Sequence, residues 1–531
     1  MQHLEVPYNN TGYFSKIVMD YLEEKKELAP FYHRYPKLQN FEAQIQEKAA
    51  SFSSEHRKVL VSALEKQYQE FSLSGATQEH INHLVLPNAF TITTGHQLNL
   101  FSGPLYFLYK IISVINLCKE LKQTYPKQHF VPMYWMASED HDFEEIQYFN
   151  TKGTQIKWET NSGGPVGRLS TDGLEEVYNK FAEVLNNGKN AEELRDLFQK
   201  AYVEHQNLAD ASRYLVNVLF GEHGVVVIDG DDPKLKSLFK PYALKELVAQ
   251  TTYQQVTKTN QQLTKQGYPN QVNVREINLF YIADGLRERV VKEGNGYRVN
   301  NTDLHFSCAE HLFSNVDKLE FLSGNALLRP LYQEVILPNL CYVGGGGELA
   351  YWMQLKATFA SFNVPFPMLL LRNSALLVTE KQLKKIEKLE VTVQDLFANQ
   401  HTLIKKIVNQ RSTINFNFEE KKQILEANFK ELESIAGQTD ASFIGAVKAQ
   451  KAKQIKGLET LEKRLLKAEK KRMYEYVTRL EILQNQLFPN HSLQERQVNF
   501  SQFYEVYGKE MIATLLTTLK PLEKNFSIVV L

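Results

Sequence analysis

The chain has 531 residues, with 61 basic and 61 acidic side chains. Zero formal net charge excludes a general nucleic-acid or membrane-surface binder, since both rely on a positive excess. Three widely spaced cysteines, Cys118, Cys308 and Cys341, give neither a disulfide framework nor a thiolate zinc site, and the length is ample for a large core with additional domains.

The N-terminus lacks the basic-then-apolar order of a signal peptide, and no apolar run approaches the ~18 residues of a membrane span, so a cytoplasmic protein is expected. Residues 1–88 read as a helical cap on a sheet, with apolar residues at helical spacing from Tyr13 to Lys25 and from Phe41 to Phe71. From Thr91 to Lys110 the pattern is strand, loop and helix around Thr94-Gly95-His96-Gln97 and Gly103-Pro104. Gly95 permits a backbone turn closed to other residues, and Pro104 suits the first turn of a helix. Loop N–H groups and the helix N-terminus would then face an anion; a plain structural turn is the alternative.

Phe130 to Met136 reads as a buried strand that ends in Ser138-Glu139-Asp140-His141-Asp142. Ligands of open α/β sheets bind at such carboxyl ends, so this cluster and the Gly95 loop are expected on one rim. Gln147 to Leu169 suggests a β-hairpin, and helical patterns follow at Leu174 to Leu185 and Ala191 to Phe220. Val225 to Ile228 reads as another strand, ending in Asp229-Gly230-Asp231-Asp232-Pro233, whose aspartates are either ligand groups or helix caps. A hairpin turning at Asp284-Gly285 is expected within Val274 to Tyr297.

Arg329 and Pro330 precede an apolar helical run, which leads to Gly344-Gly345-Gly346-Gly347 and a helix carrying Glu348 and Tyr351. Four consecutive glycines fit either close approach of a ligand or a flexible loop. Val364 to Leu371 reads as a further strand. Residues 375–488 differ in kind: Ile386, Leu389, Val393, Leu396, Leu403 and Ile407 follow a spacing of three and four with Gln400 as the one polar break, and Leu458, Leu461 and Leu465 lie on a long basic helix. An antiparallel coiled-coil arm with a solvated, Glu-interleaved lysine face is expected, followed by a segment, 489–531, that packs back on the core.

Taken together, Thr94-Gly95-His96-Gln97, Gly103-Pro104-Leu105-Tyr106, Glu139-Asp140-His141-Asp142, Ile228 to Pro233, Leu327-Leu328-Arg329-Pro330, Gly344 to Tyr351 and Leu493-Gln494-Glu495-Arg496 resemble the BshC family of bacillithiol biosynthesis. The resemblance spans nearly the whole chain. It implies an α/β protein whose Rossmann-like parallel-sheet core is related to class I nucleotidyl transferases. The core would occupy 1–374 with connective inserts at roughly 147–220 and 234–324, followed by a coiled coil associated with dimerisation. It also implies a ligase that adds L-cysteine to glucosaminyl-malate, with ATP or ADP as cofactor, Mg²⁺ as an optional ion and no zinc.

On that reading Asp140, His141, Asp142 and His96 carry the chemistry. Thr94, Gly95, Gln97, Gly103, Glu139, Asp229, Asp231, Arg329, Gly345, Gly346, Glu348 and Tyr351 bind substrate, and Arg496 and Asn499 hold the nucleotide. The partners are small molecules and a second copy of the chain, without nucleic acid or membrane. The competing reading is a noncatalytic scaffold that keeps a ligand-binding crevice and uses the coiled coil for interaction.

Overall fold

A computed structural model describes residues 3–160, 163–314, 321–412, 414 and 418–531. Backbone contacts divide the chain into two compact units. One comprises 1–9, 13–377 and 493–531, and the other 10–12 and 378–492.

The first unit is built on five parallel strands: β1 (Ala89–His96), β2 (His129–Met136), β3 (Val226–Asp229), β4 (Asn339–Gly344) and β5 (Met368–Leu371). They lie in the order β5-β4-β1-β2-β3. Every residue of β1, β4 and β5 is buried, as expected of parallel strands covered on both faces. This is the Rossmann strand order, and the winding reverses between β1 and β4, where Thr93 pairs with Tyr342. The carboxyl ends of those two strands therefore flank the crevice that such a sheet leaves for a ligand.

Helix α1 (Tyr106–Thr124) follows β1 and buries Phe107, Leu108, Ile111, Ile112, Val114, Ile115 and Leu117. Helix α2 (Pro233–Ala249) follows β3; its N-cap is Asp232, whose carboxylate accepts from the Lys234 and Leu235 N–H groups at 2.8 and 3.1 Å. With Pro233 behind that cap, the third aspartate of the run takes the capping role. Helix α3 (Arg329–Ile336) precedes β4, and helix α4 (Gly346–Trp352) follows it.

Between β2 and β3 lie the hairpin Tyr148–Thr151/Thr154–Lys157 and a helical group. Between β3 and β4 an antiparallel sheet contains the hairpin Leu279–Ala283/Leu286–Glu293, which turns at Asp284-Gly285 as expected.

Four expectations change. Ala375–Val378, expected at the start of the coiled-coil arm, is a buried strand. His3–Pro7 is a strand, not part of a helical cap, and pairs antiparallel with Asn525–Val530. The pattern from Ala191 to Phe220 is not one helix: α-helix covers Lys189–Phe198 and Leu208–Phe220, and Gln199–Val203 between them widens to a π-turn. Gly95 is not in a turn but inside β1, paired with Trp135, and a Cβ there would stand 3.2 Å from the Tyr342 hydroxyl. Crowding explains that glycine; positive φ is reached later in the loop, at Phe101, Ser102 and Gly103, with φ 47°, 67° and 61°.

The second unit is helical. Glu419–Ala436 and Ala441–Arg472 form an antiparallel pair around buried Phe429, Ala436 and Val447. Lys451–Glu433 at 3.6 Å and Lys422–Glu462 at 3.0 Å cross the pair at increasing distance from its turn, as antiparallel register requires. Asp440 caps the long helix through the Ser442 N–H at 2.8 Å. Along that helix Leu466 is buried, Leu458 and Leu465 are half-buried, and Leu461 is 53% exposed.

Candidate active site

A crevice of about 570 Å³ opens at the β1/β4 switch point, lined by the ends of β1 and β2, the hairpin after α2, and the segments entering α3 and α4. Gly95, His96, Gln97, Glu139, Asp140, His141, Arg329, Glu348 and Tyr351 all line it, so sequence segments some 250 positions apart converge.

One side is electrostatically closed. The Lys110 ammonium donates to the Gly95 carbonyl at 2.6 Å and pairs with Glu348 at 2.6 Å. Glu348 also accepts from the Tyr342 hydroxyl at 2.6 Å and from the Gly345 N–H at 2.8 Å. Burial alone would raise the Glu348 carboxyl, but Lys110 and these donors hold it below the usual range. Burial in turn lowers Lys110, against the pull of Glu348. The carboxylate thus saturates its oxygens while capping α4.

Arg329 is different. Its guanidinium donates to Gln333 at 3.0 Å and to the Tyr351 hydroxyl at 3.2 Å, and it faces the Trp135 and Tyr342 rings. Among the described residues no carboxylate lies within ion-pairing distance of it. A buried cation held by neutral partners leaves its charge available to an anionic ligand.

His96 ends β1 with only 8% of its surface exposed, stacked on Tyr106 at 5.2 Å. Burial, assisted by Lys110, pushes its imidazole down to about 3, so the ring is neutral near pH 7. Its Nδ1 lies 2.8 Å from the Gln97 carbonyl and must donate there, which leaves Nε2 as a buried acceptor with no partner among the described residues.

The opposite rim carries the acidic cluster. Gln97 donates to Asp140 at 3.1 Å and to Glu145 at 2.9 Å. Burial would raise Asp140, but its bonds from His141 and Gln97, with the Arg287 charge, hold it well below the carboxylate range. Arg287 donates to His141 Nδ1 at 2.6 Å and lies over the Phe280 ring at 4.1 Å. Glu139 instead pairs with Lys236 at 2.8 Å.

Several expected site residues stand elsewhere. The Thr94 hydroxyl donates to the Val343 carbonyl at 2.7 Å and holds β1 to β4. Asp142 is exposed at the start of the short helix Phe143–Ile146 and does not line the crevice. Gly103 packs on Asn99, where a Cβ would come within 2.7 Å. Gly345 and Gly346 have no positive φ; a Cβ on Gly346 would meet Val18 at 2.9 Å, so helix packing explains that glycine. Asn499 is fully buried and spends its amide on the Phe101 and Gly103 carbonyls at 2.8 and 2.6 Å, which leaves no donor for a nucleotide. Arg496 lies exposed on the neighbouring turn. Asp229 and Asp231 open on a separate cavity of about 750 Å³.

The sequence reading missed Arg287, Glu145 and Tyr342 as crevice residues. Arg287 had only its place beside the Asp284-Gly285 turn as a signal, and nothing local tells which sheet that hairpin meets. Tyr342 lies within a continuous apolar run, where alternation gives no face.

Family models match residues 1–373, as the N-terminal Rossmann-like domain of bacillithiol biosynthesis BshC, and 375–531, as its C-terminal coiled-coil domain. A protein of Flavobacterium johnsoniae named "Putative cysteine ligase BshC" is 54% identical over 99% of both chains. Proteins with the same name from Christiangramia forsetii and Cytophaga hutchinsonii are 51% identical over 98% of both chains and 39% identical over 96% of both. With both domains matched in order and full-length relatives above 50% identity, the chain belongs to the BshC family of bacillithiol biosynthesis.

Proposed function

We propose that the chain is a cysteine ligase that joins the carboxyl group of L-cysteine to the amine of glucosaminyl-malate. What carries the reading is its full-length likeness to relatives bearing the ligase name. The crevice supports it chemically. Amide formation from a free carboxylate in water requires one carboxyl oxygen to leave, and ATP, with Mg²⁺ beside it, is the class of reagent that supplies this when bound.

The residues fit such a group at two places. Arg329 offers an uncompensated guanidinium to an anionic oxygen, and Asp140 and Glu145 offer carboxylate oxygens to a hydrated cation. The four-glycine turn does not fit as a phosphate cradle, because the Gly345 N–H is already taken by Glu348.

The chain's own contribution is positioning and charge. Arg329 orients an anionic oxygen and opposes charge that grows on it. Neutral His96 accepts a hydrogen bond at Nε2 from an N–H or S–H group, which aligns that group without taking its proton. Lys110, whose charge is spent on Glu348, fixes the Gly95 carbonyl and the start of α4 as the frame of the crevice. The apolar residues left exposed on the arm, among them Ile424, Phe443 and Leu461, support a homodimer, and three free cysteines suit the reducing cytoplasm.

Purified protein given L-cysteine, glucosaminyl-malate and ATP should form bacillithiol, detectable by thiol labelling and mass spectrometry. Arg329→Gln should reduce that rate by about 100-fold, with the fold retained by circular dichroism. No product with any nucleotide, despite binding of glucosaminyl-malate, would instead favour the noncatalytic scaffold.

A further inference from the structure

The 750 Å³ cavity at the end of β3 is unused by the proposed chemistry. A wall one backbone thick divides it from the crevice: Ala137 and Glu139 line the crevice, and Ser138 between them lines the cavity. Two opposite charges face this space without meeting. Arg213, only 2% exposed, is sandwiched against the Tyr68 and Phe71 rings. Among the described residues its guanidinium has only long hydrogen bonds, 3.3 and 3.4 Å, to the Gln67 side-chain oxygen, and its Nε is buried with no partner. Among the described residues no carboxylate lies within ion-pairing distance of it.

Asp229 is the counterpart. One carboxylate oxygen accepts from the Ser138 hydroxyl and from the Asp231 N–H at 2.8 Å, while the other has no hydrogen bond from the described residues and no cation within ion-pairing distance. Burial, with the nearby Asp231 charge, raises this carboxyl, so a cation brought beside it would be stabilised. Gln67 fixes the spacing: its oxygen also accepts from the Asp229 N–H at 2.9 Å, and its amide donates to the Asp229 carbonyl at 2.9 Å. A buried guanidinium and a carboxylate are thus held apart on one rigid amide, each lacking a charged partner. Asp231 is not available, being clasped by Arg168 at 2.7 Å and Lys236 at 2.6 Å.

We infer that this cavity binds a free α-amino acid as its zwitterion, with the α-carboxylate on Arg213 and the α-ammonium on Asp229. The sign balance of the lining decides against a phosphorylated ligand. Lys66, Arg168 and Arg213 are outnumbered by Glu70, Asp210, Asp229, Asp231 and Asp284, which would repel a polyanion. A zwitterion carries no net charge and satisfies both unpaired groups at once. L-serine, which is not the substrate of the proposed ligase, reads this cavity apart from the crevice, so failure of the inference and failure of the ligase reading are distinguishable.

The test is calorimetric titration of the full-length protein with L-cysteine and L-serine, and with cysteamine, which lacks the carboxylate, and L-malate, which lacks the ammonium. The amino acids should bind, and cysteamine and L-malate should bind at least about tenfold more weakly. Arg213→Gln and Asp229→Asn should each weaken L-serine binding by about tenfold or more, whereas Arg329→Gln in the crevice should leave L-serine binding within about twofold. Binding of L-serine equal to that of L-cysteine marks a general amino-acid site, and preference for L-cysteine marks a reserve of substrate; both support the inference. Should Arg213→Gln fail to fold, Asp229→Asn and the ligand series decide alone. Equal affinity for L-serine and cysteamine, indifference of L-serine binding to the Asp229 substitution, or loss of L-serine binding in Arg329→Gln would overturn the inference.

Discussion

β1 and β4 lie side by side, and each carries a glycine at its carboxyl end, Gly95 as the last residue but one of β1 and Gly344 as the last of β4. At β1, Gly95 lines the crevice and gives its carbonyl to Lys110. At β4, the glycines let α4 start at once and pack on Val18, while Glu348 consumes the first free N–H. A glycine therefore marks close approach without saying of what: at Gly95 it is a neighbouring hydroxyl beside the ligand space, and at Gly346 another helix. The polar groups that these strand ends turn to the crevice are side chains, unlike those of a glycine loop that wraps a phosphate with its backbone.

The comparison is sharpest at Glu348, the side chain that joins the two strand ends. Glu348→Ala leaves Lys110 buried without its carboxylate and also strips the Tyr342 hydroxyl and the Gly345 N–H of their acceptor. A loss of about 3–5 kcal/mol is expected in denaturant unfolding; a loss below about 1 kcal/mol would show that water replaces the carboxylate there.

Gly346→Val is expected to cost about 1–3 kcal/mol of stability by overpacking, with substrate affinity unchanged. Val18→Ala in the same chain should restore part of the loss. If calorimetry instead finds weakened substrate binding in a normally stable variant, the β4 turn is a ligand loop after all.

The smallest effect belongs to His96. Its folded-state value, about 3, lies below the unfolded 6.5. Below pH 6.5 the unfolded chain takes up a proton that the folded chain refuses. The associated stability is therefore complete above pH 6.5 and is lost as pH falls toward 3. Between pH 7 and 5.5 the wild type should lose about 1 kcal/mol more than His96→Gln. Parallel pH profiles for the two proteins would mean that the ring is protonated in place.

How much of this was legible follows from the range of the interactions. β1 and β2 end in residues that break their own apolar patterns, so His96, Gln97 and Asp140 could be placed on one rim from local sequence. The helix cap at Asp232 was legible for the same reason, since Pro233 fixes it locally. Arg287 was not, because its bond to His141 depends on how a separate antiparallel sheet docks. Nor was His3–Pro7, a short strand with a single buried apolar side chain, Val6, facing a partner at the other end of the chain. Gly346 and Asn499 misled because motif membership does not distinguish a residue that touches a ligand from one that holds the frame.

The pairing of β1 with β4 also has a consequence in time. Thr94 and Val343, whose hydrogen bond ties these strands together, are 249 positions apart in the chain. Synthesis at about 5–20 residues per second leaves β1 waiting roughly 10–50 s for its neighbour. During that interval β1 presents an unsatisfied edge of N–H and C=O groups, and the crevice has only one wall. The central pair of the sheet is thus closed late, after both inserts have been made, and until then the newborn chain carries an open template for the wrong strand.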